Sequence, residues 1–159
     1  MTEFATTMPV RLDPESRRLD RLVDLPPDGR TIVFGAHGPV AEHYGMPGEG
    51  GLPTTLDYLT ASVAGCLIGT FGGSLRRAGV RIKPADLTAV ATGDVASDED
   101  NVLRLRRITL DYTLRIPEEH AETAAEVHAV HASKCPNARS VSDAIEIVTN
   151  LTVAAPAAA

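Results

Sequence analysis

Residues 54–79, TTLDYLTASVAGCLIGTFGGSLRRAG, decide the fold. Leu56, Leu59, Val63, Leu67, Phe71 and Leu75 recur at helical spacing, and Gly79 supplies a stop after the basic pair Arg76-Arg77. Thr54 and Asp57 have the spacing of a capping box, in which hydroxyl and carboxylate satisfy each other's exposed amides. Between the apolar positions lie Ala61, Ala64, Gly65, Gly69, Gly72 and Gly73. Each glycine costs a helix interior about 1 kcal/mol, so the group predicts close approach by another backbone. Apolar on nearly every face, the helix is expected to be central and buried.

Upstream, residues 1–29 are charged and broken by Pro9, Pro14, Pro26 and Pro27, and read as an extension or short edge element. Thr31–Phe34 is a short β-rich run, with Pro39–Tyr44 as its expected hairpin partner across Ala36-His37-Gly38. GMPGEGGLP, at 45–53, holds four glycines and two prolines in nine residues and reads as a loop. Downstream, Leu87–Val95 and Val102–Ile116 read as strands joined by the polar turn 97–101. In the second, Ile108, Leu110, Tyr112, Leu114 and Ile116 alternate with polar residues, the period of a half-buried antiparallel strand. Pro117-Glu118-Glu119 opens a helix to about Lys134, Cys135-Pro136 ends it, and Val141–Ala144 reads as a further turn. Ile145–Val153 is a last strand, and 154–159 a loose tail. This order of elements is α+β, with residues 30–153 as the main domain.

The 159-residue length suits one ordinary domain, with 43% hydrophobic and 23% charged residues. A net charge of −6 argues against a nucleic-acid partner, and aromatics at 4% leave few stacking platforms. No run of 18 apolar residues predicts a membrane span, and residues 1–20 lack a signal-peptide pattern, so a cytoplasmic protein is expected. In such a compartment the two cysteines are expected as thiols.

Cys66 lies within the glycine-rich helix and Cys135 at the end of the second helix. Both can be read as small buried hydrophobes. The negative end of the helix dipole disfavours a thiolate at Cys135, which suits a resolving role better than an attacking one. His128, His131 and Cys135, at i, i+3 and i+7, share a helix face and with Cys66 could bind zinc, although such spacing is common by chance. No metal or cofactor is expected. His37 and His43 read as turn and surface residues, Arg104, Arg106 and Arg107 as a solvated face, and Asp57 first as the capping partner.

Leu52–Thr70, LPTTLDYLTASVAGCLIGT, resembles the first signature of the OsmC/Ohr family: a proline, an acid, a small-residue apolar helix, then Cys. Cys135–Val141, CPNARSV, is similar to the second, and the 69-residue separation is similar too. The resemblance implies antiparallel sheets wrapped around two central helices in an intertwined homodimer, with active sites at the dimer interface. It implies a thiol-dependent peroxidase in which Cys66 attacks an organic hydroperoxide and Cys135 then condenses with the sulfenic acid. A dithiol reductant reopens the disulfide. The family's acid, ten residues before the first Cys, is here Leu56, beside Asp57; one branch's Arg is here Met46, leaving Arg30 or Arg21 to supply the cation. The expected site is Cys66, Cys135, Asp57, Arg30 and His131, the last placed to take the resolving thiol's proton. The alternatives are other thiol chemistry on an apolar electrophile, binding of a small apolar ligand at the dimer interface, or a metal-binding module.

Overall fold

The computed structural model describes residues 3–156. The chain divides into two compact units, Met1–Tyr58 and Leu59–Ala159. Of the tail expected at 154–159, the last three residues lie outside the described residues.

The first unit is an antiparallel meander of β1 (Val10–Leu12), β2 (Arg21–Leu25) and β3 (Arg30–Phe34), followed by α1 (Gly38–His43). The residues read as an extension or short edge element thus supply two strands. Asp24 on β2 ties all three together, accepting from Arg11 on β1 and from Thr31 on β3, each at 2.6 Å. The hairpin expected between 31–34 and 39–44 is corrected. β3 pairs with β2, Leu22 opposite Val33 and Val23 opposite Ile32, while residues 38–43 are α1. Pro39 has no amide for a strand ladder and suits the first turn of a helix, where that amide is unneeded. The 45–53 loop folds back at Gly51, whose φ is +102° and whose Cβ position would overlap the Ala36 carbonyl oxygen, so only glycine fits.

Helix α2 (Thr55–Arg77) begins as read: Thr54 precedes it and Asp57 is its third residue. The body of α2 lies in the second unit, with β4 (Leu87–Ser97), β5 (Leu103–Arg115), α3 (Ala121–His131), α4 (Pro136–Val141) and β6 (Glu146–Ala154). It is long and apolar enough to cross a membrane. Within the fold it buries one stripe, Val63, Leu67, Phe71 and Leu75. This chain alone does not give the burial expected on nearly every face, since Ala61, Ser62, Gly65 and Gly69 are exposed. Nor do the helix glycines meet another backbone in this chain: Cβ positions at Gly65 and Gly69 face open space. Close approach falls at Gly93 on β4, where a Cβ would stand 2.6 Å from Thr60 Oγ1 and 2.9 Å from Leu105.

Strands β4 and β5 form a hairpin with a bulge at Asp94/Val95. β5 alternates as its sequence predicts, burying Leu105, Ile108, Leu110, Tyr112 and Leu114. Each such side chain contributes about 1.5–3 kcal/mol of burial. The sheet is mixed rather than antiparallel, because β6 runs parallel to β5, from Arg107 opposite Glu146 to Arg115 opposite Ala154. Parallel neighbours require a crossover, and the helical segment 117–141 provides it. Arg107–Glu146 at 2.8 Å and Asn150–Asp111 at 2.7 Å bridge β5 and β6 on the outer face. The helix turn expected at 141–144 lies earlier, as α4, with Pro136 again in a first helical turn.

Candidate functional site

Cys66 sits midway along α2 and is half-buried; Cys135 is fully buried, and both are free thiols. The Cys66 side chain lies near enough to Cys135 to influence its thiol. Cys135 is not at the end of α3, as the sequence suggested. That helix stops at His131, a 3-10 turn spans Ala132–Lys134, and Cys135 is the N-cap of α4. Its thiol nevertheless holds its proton. Burial pushes its pKa up and the neighbouring Cys66 sulfur adds to this, while the Ala138 amide and the Thr70 hydroxyl act in the opposite sense. Asn137 holds α4 to α2, its Nδ2 donating to Ser62 O at 3.1 Å and Ser62 Oγ at 2.9 Å. Beside this clasp, one turn before Cys66, a cleft of about 200 Å³ is lined by Leu59, Ser62, Val63, Asn137, Ser140 and Val141.

Behind Cys135 lies an aromatic cluster of Phe71, Tyr112, His128 and His131. His131 Nδ1 is 2.7 Å from the His128 carbonyl, which can only accept, so Nδ1 carries the hydrogen. Nε2 therefore accepts from the Tyr112 hydroxyl, at 3.1 Å. Burial lowers the pKa of both histidines; for His128 the neighbouring His131 adds to the effect. Burial, and then the nearby Cys135, raise that of Tyr112. His128 Nε2 is buried without a hydrogen-bond partner. Among the described residues no three of His, Cys, Asp and Glu gather as a metal would require, so the zinc arrangement of Cys66, His128, His131 and Cys135 is not formed.

Asp57 and Arg30 belong to the first unit. The capping box is formed: Thr54 N donates to Asp57 Oδ2 at 2.7 Å and Asp57 N to Thr54 Oγ1 at 3.1 Å. Oδ2 also meets His37 Nε2 at 2.8 Å. Burial raises the Asp57 pKa, but the Thr54 bonds and His37 outweigh it and leave the carboxyl lowered. Asp57 and Cys66 are nine residues apart on one helix, about half a turn out of phase, so they project from opposite sides. Arg30 is largely exposed, 3.5 Å from Asp28, whereas Arg21 Nη2 donates to the Gly35 carbonyl at 3.1 Å.

Sequence reasoning missed Thr70, Tyr112, Asn137 and His37. A hydroxyl one turn after Cys66 was a readable signal for Thr70. His37–Asp57 and Tyr112–His131 bring together residues far apart in sequence and carried no local signal.

These elements define a class, α+β proteins with a helix-borne cysteine placed against a second thiol. The chain belongs to the OsmC-like protein family, whose model matches residues 48–150. No curated protein sequence matches the chain. Among solved structures, it is similar to an OsmC-like protein from Mycoplasma pneumoniae at 18% identity and TM-score 0.70, covering 96% of this chain and 99% of that one. The organic hydroperoxide resistance protein OhrB of Bacillus subtilis matches at 18% identity and TM-score 0.66, with coverages of 92% and 98%. An organic hydroperoxide resistance protein OsmC from Legionella pneumophila matches at 14% and 0.70, with coverages of 95% and 100%. At these identities the likeness establishes the fold.

Proposed function

We propose that this protein is a cytoplasmic, thiol-dependent peroxidase that reduces organic hydroperoxides. The observation that carries the reading is a half-buried free Cys66 near enough to influence a second, enclosed free thiol, Cys135, which holds its proton. The Cys66 thiolate attacks the terminal peroxide oxygen, the O–O bond breaks, and the alcohol leaves with a proton. Cys66 is then a sulfenic acid. The Cys135 sulfur displaces its hydroxyl as water, forming the disulfide, and a dithiol reductant restores both thiols. The cleft by Ser62 suits the apolar part of a small hydroperoxide.

His131, expected to take the Cys135 proton, has its two ring nitrogens engaged by the Tyr112 hydroxyl and the His128 carbonyl, and in this reading it acts through Tyr112 instead, keeping the wall behind Cys135 in place. The working form is an intertwined homodimer. Supporting this, α2 exposes Gly65 and Gly69, and β4 leaves Val90 68% and Val95 39% exposed.

One equivalent of cumene hydroperoxide is expected to consume two thiols per chain and yield the Cys66–Cys135 disulfide. Unchanged thiols would overturn the peroxidase reading in favour of a small apolar ligand or another electrophile at the same cleft.

A further inference from the structure

We propose that Asn137 is a positioning residue for disulfide closure, its carboxamide holding the Cys135 segment against the helix that carries Cys66; this rests on the peroxidase reading of the two thiols. Asn137 Nδ2 donates to Ser62 O at 3.1 Å and to Ser62 Oγ at 2.9 Å. Both of its hydrogens are thus spent on one residue of α2. A single bond would leave α4 free to swivel about it; two fix a direction as well as a distance.

Where the clasp falls is what gives it this role. Ser62 lies four residues before Cys66, so the two share one side of α2, a turn apart. The Ser62 carbonyl is also the helical acceptor for the Cys66 amide, and a carbonyl oxygen has lone pairs for both donors. Across the clasp, Asn137 is the second residue of α4, whose N-cap is Cys135. Pro136 fixes the φ angle between them, and Arg139 N donates to the Cys135 carbonyl at 3.0 Å. A position imposed on Asn137 is therefore passed to Cys135 through one closed turn.

Six residues make too short a helix to hold its own place, so Cys135 depends on anchors to either side. Before it, His131 is set in the core against the Tyr112 hydroxyl of β5, at 3.1 Å. After it, Asn137 ties the chain to α2. The first anchor places the segment against the sheet, the second against the helix of the attacking cysteine. Burial of Cys135 and Ala138 holds the inner side of α4 in, but apolar contact is non-directional and does little to resist sliding along α2. The two hydrogen bonds supply the direction. In the step they serve, the Cys135 sulfur bonds to the Cys66 sulfur as the S–O bond of the sulfenic acid breaks. The departing hydroxide takes the Cys135 proton and leaves as water. Asn137 exchanges no proton and acts through where Cys135 stands.

The test grades the clasp: two bonds in wild type, one in Ser62→Ala and none in Asn137→Ala. After one equivalent of cumene hydroperoxide without reductant, closure is followed as the decay of the Cys66 sulfenate, trapped with dimedone and read by mass spectrometry. It should slow about threefold in Ser62→Ala and about tenfold in Asn137→Ala, the order of effect that small misplacements produce. A second measurement needs no peroxide. Equilibrated with reduced and oxidised glutathione, Asn137→Ala should form the Cys66–Cys135 disulfide about tenfold less readily, a reduction potential about 30 mV higher. Ser133→Ala removes a hydroxyl bond to the Val130 carbonyl on the same segment, 2.8 Å long and not reaching α2, and should leave rate and potential unchanged. Should alanine at 137 disturb the fold by circular dichroism, Asn137→Leu, alike in shape and without donors, is read the same way. An unchanged potential in Asn137→Ala, or an equal shift in Ser133→Ala, would overturn the proposal, whatever becomes of the peroxidase reading. Wild-type protein inert to peroxide, with the potential still shifted by Asn137→Ala, would overturn the peroxidase reading alone.

Discussion

The Tyr112 hydroxyl stands 3.1 Å from Nε2 of His131 in the core of the second unit, the two residues being 1% and 0% exposed. A neutral pair so enclosed is satisfied only while both partners are present. Tyr112→Phe leaves a buried acceptor without its donor and should cost about 1–3 kcal/mol, read by urea denaturation. An unchanged midpoint would mean that water replaces the phenol.

The same enclosure makes the fold sensitive to acid. Burial lowers the pKa values of His128 and His131 below their unfolded value. The unfolded chain therefore binds more protons just below pH ~6.5, and stability must fall as pH drops through that value. Denaturation from pH 8 to 5 should show the loss beginning near ~6.5, and His128→Phe should reduce the slope. A stability flat over that range would refute the assignment.

Asp57 is the third residue of α2 and closes the capping box on Thr54. Asp57→Ala should cost about 0.5–2 kcal/mol, by analogy with the loss of an N-cap. Because its folded pKa is lowered, the carboxylate's contribution is present above its unfolded value of ~3.9 and disappears as pH falls through the lower folded one. A variant with unchanged melting but no peroxide consumption would instead make Asp57 catalytic.

The two cysteines should fail differently. Cys66→Ser should abolish hydroperoxide reduction. Cys135→Ser should allow one turnover and leave Cys66 as a sulfenic acid, or a sulfinic acid in excess peroxide. A sulfenate on Cys135 in the Cys66→Ser protein, seen by mass spectrometry, would reverse the roles.

Gly65 tests the dimer. Its Cβ position is open within one chain, so Gly65→Ala in an isolated subunit should gain up to about 1 kcal/mol of helix propensity. If a partner's backbone packs there, the same change should loosen the assembly. Sedimentation should show a stable dimer for wild type and a raised dissociation constant for Gly65→Ala; a wild-type monomer at micromolar concentration would end the dimer proposal.

Much of this was written in local pattern. The start and stop of α2, the Thr54–Asp57 box and the alternation of Ile108, Leu110, Tyr112 and Leu114 each depend on residues a few positions apart. Their periodicities follow from the geometry of a single element, so sequence alone determined them. It also placed Cys66 within α2 and Cys135 directly before Pro136, two strands and a helical segment further on. Tertiary structure decided the rest. Residues 39–44 lost their place beside β3 because β2, from a segment without clear periodicity, took it. β6 lies parallel to β5 because the crossover returns it beside residues 39 positions away. Cys135 opens α4 rather than closing α3, and Thr70, Tyr112 and Asn137 acquire their roles only where α2, β5 and α4 meet. Such contacts depend on how whole elements pack, and no spacing along the chain records them.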